Sequence, residues 1–135
     1  MANYFEWNDS YSVGVKAFDE DHKIIMHLLN ELLKGHDSKA DMQAQGEILI
    51  ELIKYTRYHF RHEEELMIQS EYPDYPAHRE HHDLLFDKVL KFTNDYLNRA
   101  MDFVAITTFL MEWWLGHIQE EDKQYKGWFN GRGIH

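Results

Sequence analysis

The sequence predicts an all-α protein, an antiparallel up-down-up-down four-helix bundle carried behind an N-terminal aromatic arm. Three observations predict it. Apolar residues recur at three- and four-residue spacing in four long stretches, which is the period of one helix face. Only two prolines and seven glycines occur in 135 residues, too few to turn a chain through many short strands. The breaks between the stretches are short, which favours antiparallel neighbours. With 44% hydrophobic residues the chain can bury a core, and its length suits one domain, expected to span residues 1–135.

The elements follow in order. Tyr4, Phe5, Trp7 and Tyr11 form the arm, followed by the small loop Ser12 to Val15. A first helix is expected from Asp19, placed as N-cap with Glu20 and Asp21 in the first turn. Ile25, Leu28, Leu29, Leu32 and Leu33 carry its apolar face until Gly35. Ser38 and Asp41 resemble a capping box with a shorter acid, and they open a second helix. That helix runs through Ile48, Leu49, Leu52, Ile53, Tyr55 and Phe60 to about Ile68. The run from Tyr72 to Pro76 is the strongest break, and Pro76 suits the first turn of a third helix reaching about Leu97. The fourth is expected from Asp102 to about Tyr125, ended by Gly127, Gly131 and Gly133.

Composition excludes several functions. The absence of cysteine removes disulfide scaffolds, thiolate zinc sites, iron–sulfur clusters and cysteine nucleophiles. A net charge of −10 is the wrong sign for nucleic-acid binding, which draws on cationic contacts to phosphate. The N-terminus lacks the basic-then-apolar order of a secretory signal, and the most apolar stretch, Phe103 to Ile118, is too short to span a bilayer. A cytoplasmic location is the expectation.

Ten histidines in an acidic chain remain to be explained. Positions four apart share a helix face, as do His59 with Glu63 and His78 with His82. One such pair is common on a solvated face. Two pairs on adjacent helices, beside apolar neighbours, point to metal ligands aimed at one place. In an up-down bundle the start of the first helix and the end of the fourth lie at that same end, bringing His22 and His117 to the same level. His27, His36, His62, His81 and His135 fall off the pattern and read as surface residues, and Glu64, Glu65, Glu120 and Glu121 as solvated charge. Imidazole and carboxylate together suit iron, with zinc, copper, nickel and manganese as other candidates.

These residues resemble the hemerythrin family, in particular its single-domain bacterial members. The likeness covers nearly the whole chain: Trp7 and Asn8, the loop Ser12 to Val15, Asp19 to His22, His59 to Glu64, His78 to His82, and His117 to Asp122. It implies a non-haem centre of two iron ions cycling between Fe2+ and Fe3+. His78, His82 and His117 would hold one iron, His22 and His59 the other. Glu63 and Asp122 would bridge them with an oxo or hydroxo group, leaving one position open for dioxygen. The implied function is reversible oxygen binding for carriage, storage or delivery, with an oxygen-consuming enzyme as an implied recipient, rather than catalysis. A di-iron oxidase or peroxidase, or an oxygen or iron sensor, is the alternative on the same scaffold.

Two positions stand apart. Asp122 lies five residues after His117, about 140° around an ideal helix, so only the resemblance or a distorted final turn brings it to the metals. The family keeps leucine three residues before the fourth-helix histidine, whereas this chain has Trp114, expected to line the oxygen pocket.

Overall fold

The computed structural model describes residues 6–37, 42–97 and 103–135. Four long helices carry the architecture: α1 (Lys16–Asp37), α2 (Met42–Gln69), α3 (Tyr75–Leu97) and α4 (Phe103–Gly116). A π-helical segment, His117–Glu121, a 3-10 turn, Asp122–Tyr125, and the short helix α5 (Lys126–Asn130) continue α4. α1 lies against α2 and α4, and α2 lies against α3. Residues early in α1 and α3 meet residues late in α2 and beyond α4, so neighbouring helices run antiparallel. The predicted four-helix bundle is the observed one. No helix among the described residues is long and apolar enough to cross a membrane.

The stripes read from the sequence face inward. Ile25, Leu29, Leu32, Leu49, Leu52, Leu85, Val89 and Leu110 are all buried. Each such side chain contributes about 2 kcal/mol when removed from water, which is what commits every helix to its facing partner.

The ends differ from the sequence expectation in instructive ways. α1 begins at Lys16, three residues before Asp19. Asp19 does not cap it. Its carboxylate folds back to accept from the Val13 N–H at 2.8 Å and the Ser12 hydroxyl at 2.7 Å, fastening the preceding loop onto the first turn. In that loop Gly14 has φ +77, and a Cβ there would lie 2.6 Å from the Lys126 stem, so only glycine fits. Nor does Gly35 end α1, which runs on to Asp37; a Cβ at Gly35 would lie 2.8 Å from the Gln45 amide of α2. The Ser38–Asp41 capping box lies outside the described residues, as do Tyr4 and Phe5 of the arm.

α2 ends in a two-bond C-terminal motif, with Tyr72 N–H donating to Met67 O and Glu71 N–H to Ile68 O. The motif needs a left-handed residue, and Glu71 supplies it at φ 58. Asp74 precedes α3, and its carbonyl accepts the first helical bond from His78 N–H, as expected of a cap. Gly127 does not stop the fourth helix: α5 continues through it to Asn130. The Asn130 amide then donates to Gly14 O at 2.9 Å and Ile134 O at 2.8 Å, tying the two ends of the chain together.

Candidate metal centre

Seven polar side chains meet inside one end of the bundle: His22 from α1, His59 and Glu63 from α2, His78 and His82 from α3, and His117 and Asp122 beyond α4. All are buried among apolar neighbours, none more than 4% exposed. They form two groups whose candidate ligand atoms lie within 4.8 Å of one another. One holds His22, His59, Glu63 and Asp122; the other holds Glu63, His78, His82, His117 and Asp122. These are the seven positions singled out in the sequence.

The two carboxylates belong to both groups, and each divides its oxygens between them. Glu63 Oε1 lies 2.5 Å from His59 Nε2 and 3.5 Å from His22 Nε2. Its Oε2 lies 3.0 Å from His78 Nε2 and 3.7 Å from His82 Nε2. Asp122 Oδ2 lies 3.0 Å from His22 Nε2, whereas Oδ1 lies 2.9 Å from His117 Nε2 and 3.1 Å from His78 Nε2. Despite these distances neither Asp122 oxygen accepts an aligned hydrogen bond, although both are buried. Two pairs of imidazole nitrogens also face each other, at 2.9 Å (His22 and His59) and 3.1 Å (His82 and His117). Lone pairs converging on shared points, with few protons between them, are what a cation satisfies.

The π-helical segment explains Asp122. Its N–H donates to His117 O, five residues back, as well as to Ile118 O. The wider turn absorbs one extra residue, so five positions behave as four and the offset falls from about 140° to about 40°.

Outer carboxylates aim the imidazoles. A carboxylate only accepts, so His59 Nδ1–H donates to Asp21 at 2.9 Å and His82 Nδ1–H donates to Glu64 at 3.2 Å. Each bond leaves the Nε2 lone pair pointing inward. Asp21 also accepts from His62 Nδ1 at 3.1 Å and from the Tyr55 hydroxyl at 3.0 Å. The sequence reading missed both acids. It took Glu64 for solvated charge and His62 for a surface residue, and both are drawn into this outer layer. His27, His81 and His135 are exposed, as expected, and the His36 side chain lies outside the described residues.

Stacked rings hold His82 a second time and fix His117 as well. Phe60 lies flat on His82 with centroids 3.7 Å apart, and Trp113 on His117 at 4.4 Å. Trp114 is 1% exposed, with its ring 6.0 Å from His22, 5.9 Å from His59 and 6.0 Å from His117.

The charges follow from this packing. Burial opposes a charge on His59, but the Glu63 carboxylate and the bond to Asp21 outweigh it and raise its pKa to about 10. His78 is likewise opposed by burial and raised to about 10 by Asp122 and Glu63. Burial dominates at His82 and lowers its pKa, which keeps that imidazole neutral. Burial disfavours a charged Glu63, yet the His59 charge and the surrounding imidazoles hold it well below the carboxylate range.

Comparison with known proteins bears on the family and the fold. The model of the Hemerythrin HHE cation binding domain matches residues 13–129. A bacteriohemerythrin of Stenotrophomonas maltophilia is 31% identical over 121 residues, covering 88% of this chain and 77% of that protein. A hemerythrin-like protein of Naegleria gruberi is 30% identical, covering 91% and 92%. A crystal structure of wild-type hemerythrin superposes with a TM-score of 0.84 at 27% identity, covering 92% of this chain and 96% of that one. A leucine-to-tyrosine mutant of hemerythrin gives 0.85 at the same identity. With the bundle, the converging histidines and the match over residues 13–129 all in agreement, the chain belongs to the hemerythrin family, whose non-haem iron is held by such a cluster.

Proposed function

We propose that this chain holds two iron ions and binds dioxygen reversibly at them, inside one end of the bundle, as a carrier or store rather than an enzyme. In this reading His22 and His59 would hold one ion and His78, His82 and His117 the other, with Glu63 and Asp122 able to serve both. The observation that carries it is the division of oxygens. Each of two buried carboxylates turns one oxygen to each histidine group, and a single ion gives no reason for that. When bound, the iron pair supplies the two electrons that dioxygen takes up on binding and returns on release.

The chain's own residues set the conditions for reversibility. Five imidazoles against two carboxylates give a donor set poor in negative charge, which supports the lower oxidation states. Asp21 and Glu64 hold His59 and His82 in one tautomer and one orientation. The two-histidine group has one protein donor fewer, so a small ligand finds room there. Trp114 lies over that group and, with Phe60 at 5.6 Å, forms a wall that keeps water and its protons away. The Tyr125 hydroxyl, fully buried, donates to Glu63 Oε1 at 3.5 Å and steadies the shared carboxylate.

Anaerobic purification followed by metal analysis and absorption spectra through repeated air and argon cycles tests the proposal. Two irons per chain and a spectrum that returns on each cycle are expected. One iron, or zinc after iron-replete growth, overturns the dinuclear reading. Irreversible oxidation in the first cycle with release of peroxide or water overturns the carrier reading in favour of an oxidase.

A further inference from the structure

Two clefts of about 520 and 490 Å3 flank the exposed ridge of α2, and Arg57 and Arg61 line both. Each cleft touches the outer layer of one histidine group. The first reaches Phe60, Glu64 and His82, where Phe60 stacks on the imidazole and Glu64 accepts its Nδ1–H. The second reaches His62, whose side chain is 37% exposed and bonded to Asp21, which in turn holds His59. From each half of the cage, a bonded route therefore reaches solvent on this face.

The face is also less acidic than the chain as a whole. The clefts together carry four cations, Lys54, Arg57, Arg61 and Arg79, against Glu64, Glu65, Asp83 and Asp87. Arg79 is engaged by Glu64 at 3.9 Å and Asp83 at 3.8 Å, and Lys54 by Glu51 at 3.9 Å. Arg57 lies over the Phe86 ring at 5.8 Å. On a chain of net charge −10, an acidic protein meets less repulsion at a face with balanced charge and two arginines on its crest than the whole chain would give it.

We infer that the α2 face centred on Arg57 and Arg61 is the docking surface for an acidic one-electron donor protein that returns the oxidised centre to its ferrous form. Each transfer oxidises the donor by one electron and reduces one ferric ion to ferrous. This rests on the iron reading above, and two measurements keep the failures separate. The first does not involve the metals. Hexacyanochromate(III), an inert paramagnetic trianion, is added to isotope-labelled protein as purified, at low ionic strength. Amide broadening is expected to gather on residues 54–65 and 79–87 and to vanish in the double variant Arg57→Glu, Arg61→Glu. Broadening gathered elsewhere, or none at all, overturns the surface.

The second measurement is the rate at which dithionite, through its radical anion, reduces the oxidised protein. Arg57→Glu with Arg61→Glu should slow it about fivefold or more relative to Lys34→Glu with Lys91→Glu, a pair with the same net charge. Lys34 and Lys91 lie about 18 and 13 Å along their helices from His22 and His82, toward the other end of the bundle. Reduced methyl viologen, a cation, should show the opposite order. Equal rates in the two double variants overturn electron entry at this face, while unchanged iron content shows that the cage itself stands.

Discussion

At the scale of single residues, function depends on side chains that touch no cation themselves. Glu64 accepts from His82, so Glu64→Gln is expected to lower metal affinity about 10- to 100-fold with the helical content unchanged, as read by competition with a chelator. Trp114 offers a different check. Trp114→Leu removes ring volume beside His22 and His59, and is expected to speed oxygen association while lowering stability by about 1–3 kcal/mol. Stopped-flow mixing and denaturant unfolding read the two effects, and unchanged association means that the indole does not bound the entry path. The sequence reading reached the inner residues because His59 with Glu63, and His78 with His82, sit four apart. It missed Asp21 and Glu64 for the same geometric reason. Each stands next to a cage residue in sequence and so points about 100° away on its own helix, yet each serves a histidine on a neighbouring helix.

At the scale of elements, two irregular turns carry testable strain and spacing. Glu71 holds a left-handed conformation at the end of α2, where glycine is the usual occupant. Glu71→Gly is expected to raise stability by about 1 kcal/mol in denaturant unfolding, with no change in metal content. The π-helical segment absorbs one residue, and Gln119 within it is exposed. Deleting Gln119 should restore an ordinary turn while Asp122, now four residues from His117, keeps its face; full metal loading checks this. The extents of the helices were legible to within a few residues from apolar spacing and the break at Pro73 and Pro76. The π turn was legible only as the distorted final turn that Asp122 would need to reach the metals; no residue type encodes it, and the preference arises only once the cage and the core on both sides fix where Asp122 and Tyr125 must point.

At the scale of the whole molecule, the cage sets how stability depends on pH. In chelator-stripped protein His59 and His78, raised from 6.5 to about 10, contribute stability that is full below 6.5 and lost as the pH rises toward 10. Glu63 and Asp122 are held well below 4.5 and 3.8, so their contribution is present above those values and lost as the pH falls. The stripped bundle is therefore expected to melt highest between about pH 4.5 and 6.5. A cation must displace the imidazole protons, so its stabilising effect should grow with pH, and melting curves with and without iron should diverge as pH rises. Parallel curves across that range would show that the cage is not where the metal adds its stability.

The clasp between Asn130 and Gly14 joins residues 116 positions apart, at the end of the bundle where the histidines meet. Closing so long a loop is slow, because its entropy must be lost before the contacts it permits can repay it. Hairpins of adjacent helices can assemble earlier, but they bring together only part of the donor set. A chain whose turns beyond α4 have not yet docked therefore owns histidines without owning a complete cage. Completion of the donor set is then a late step of folding, reserved for molecules whose first and fourth helices have met.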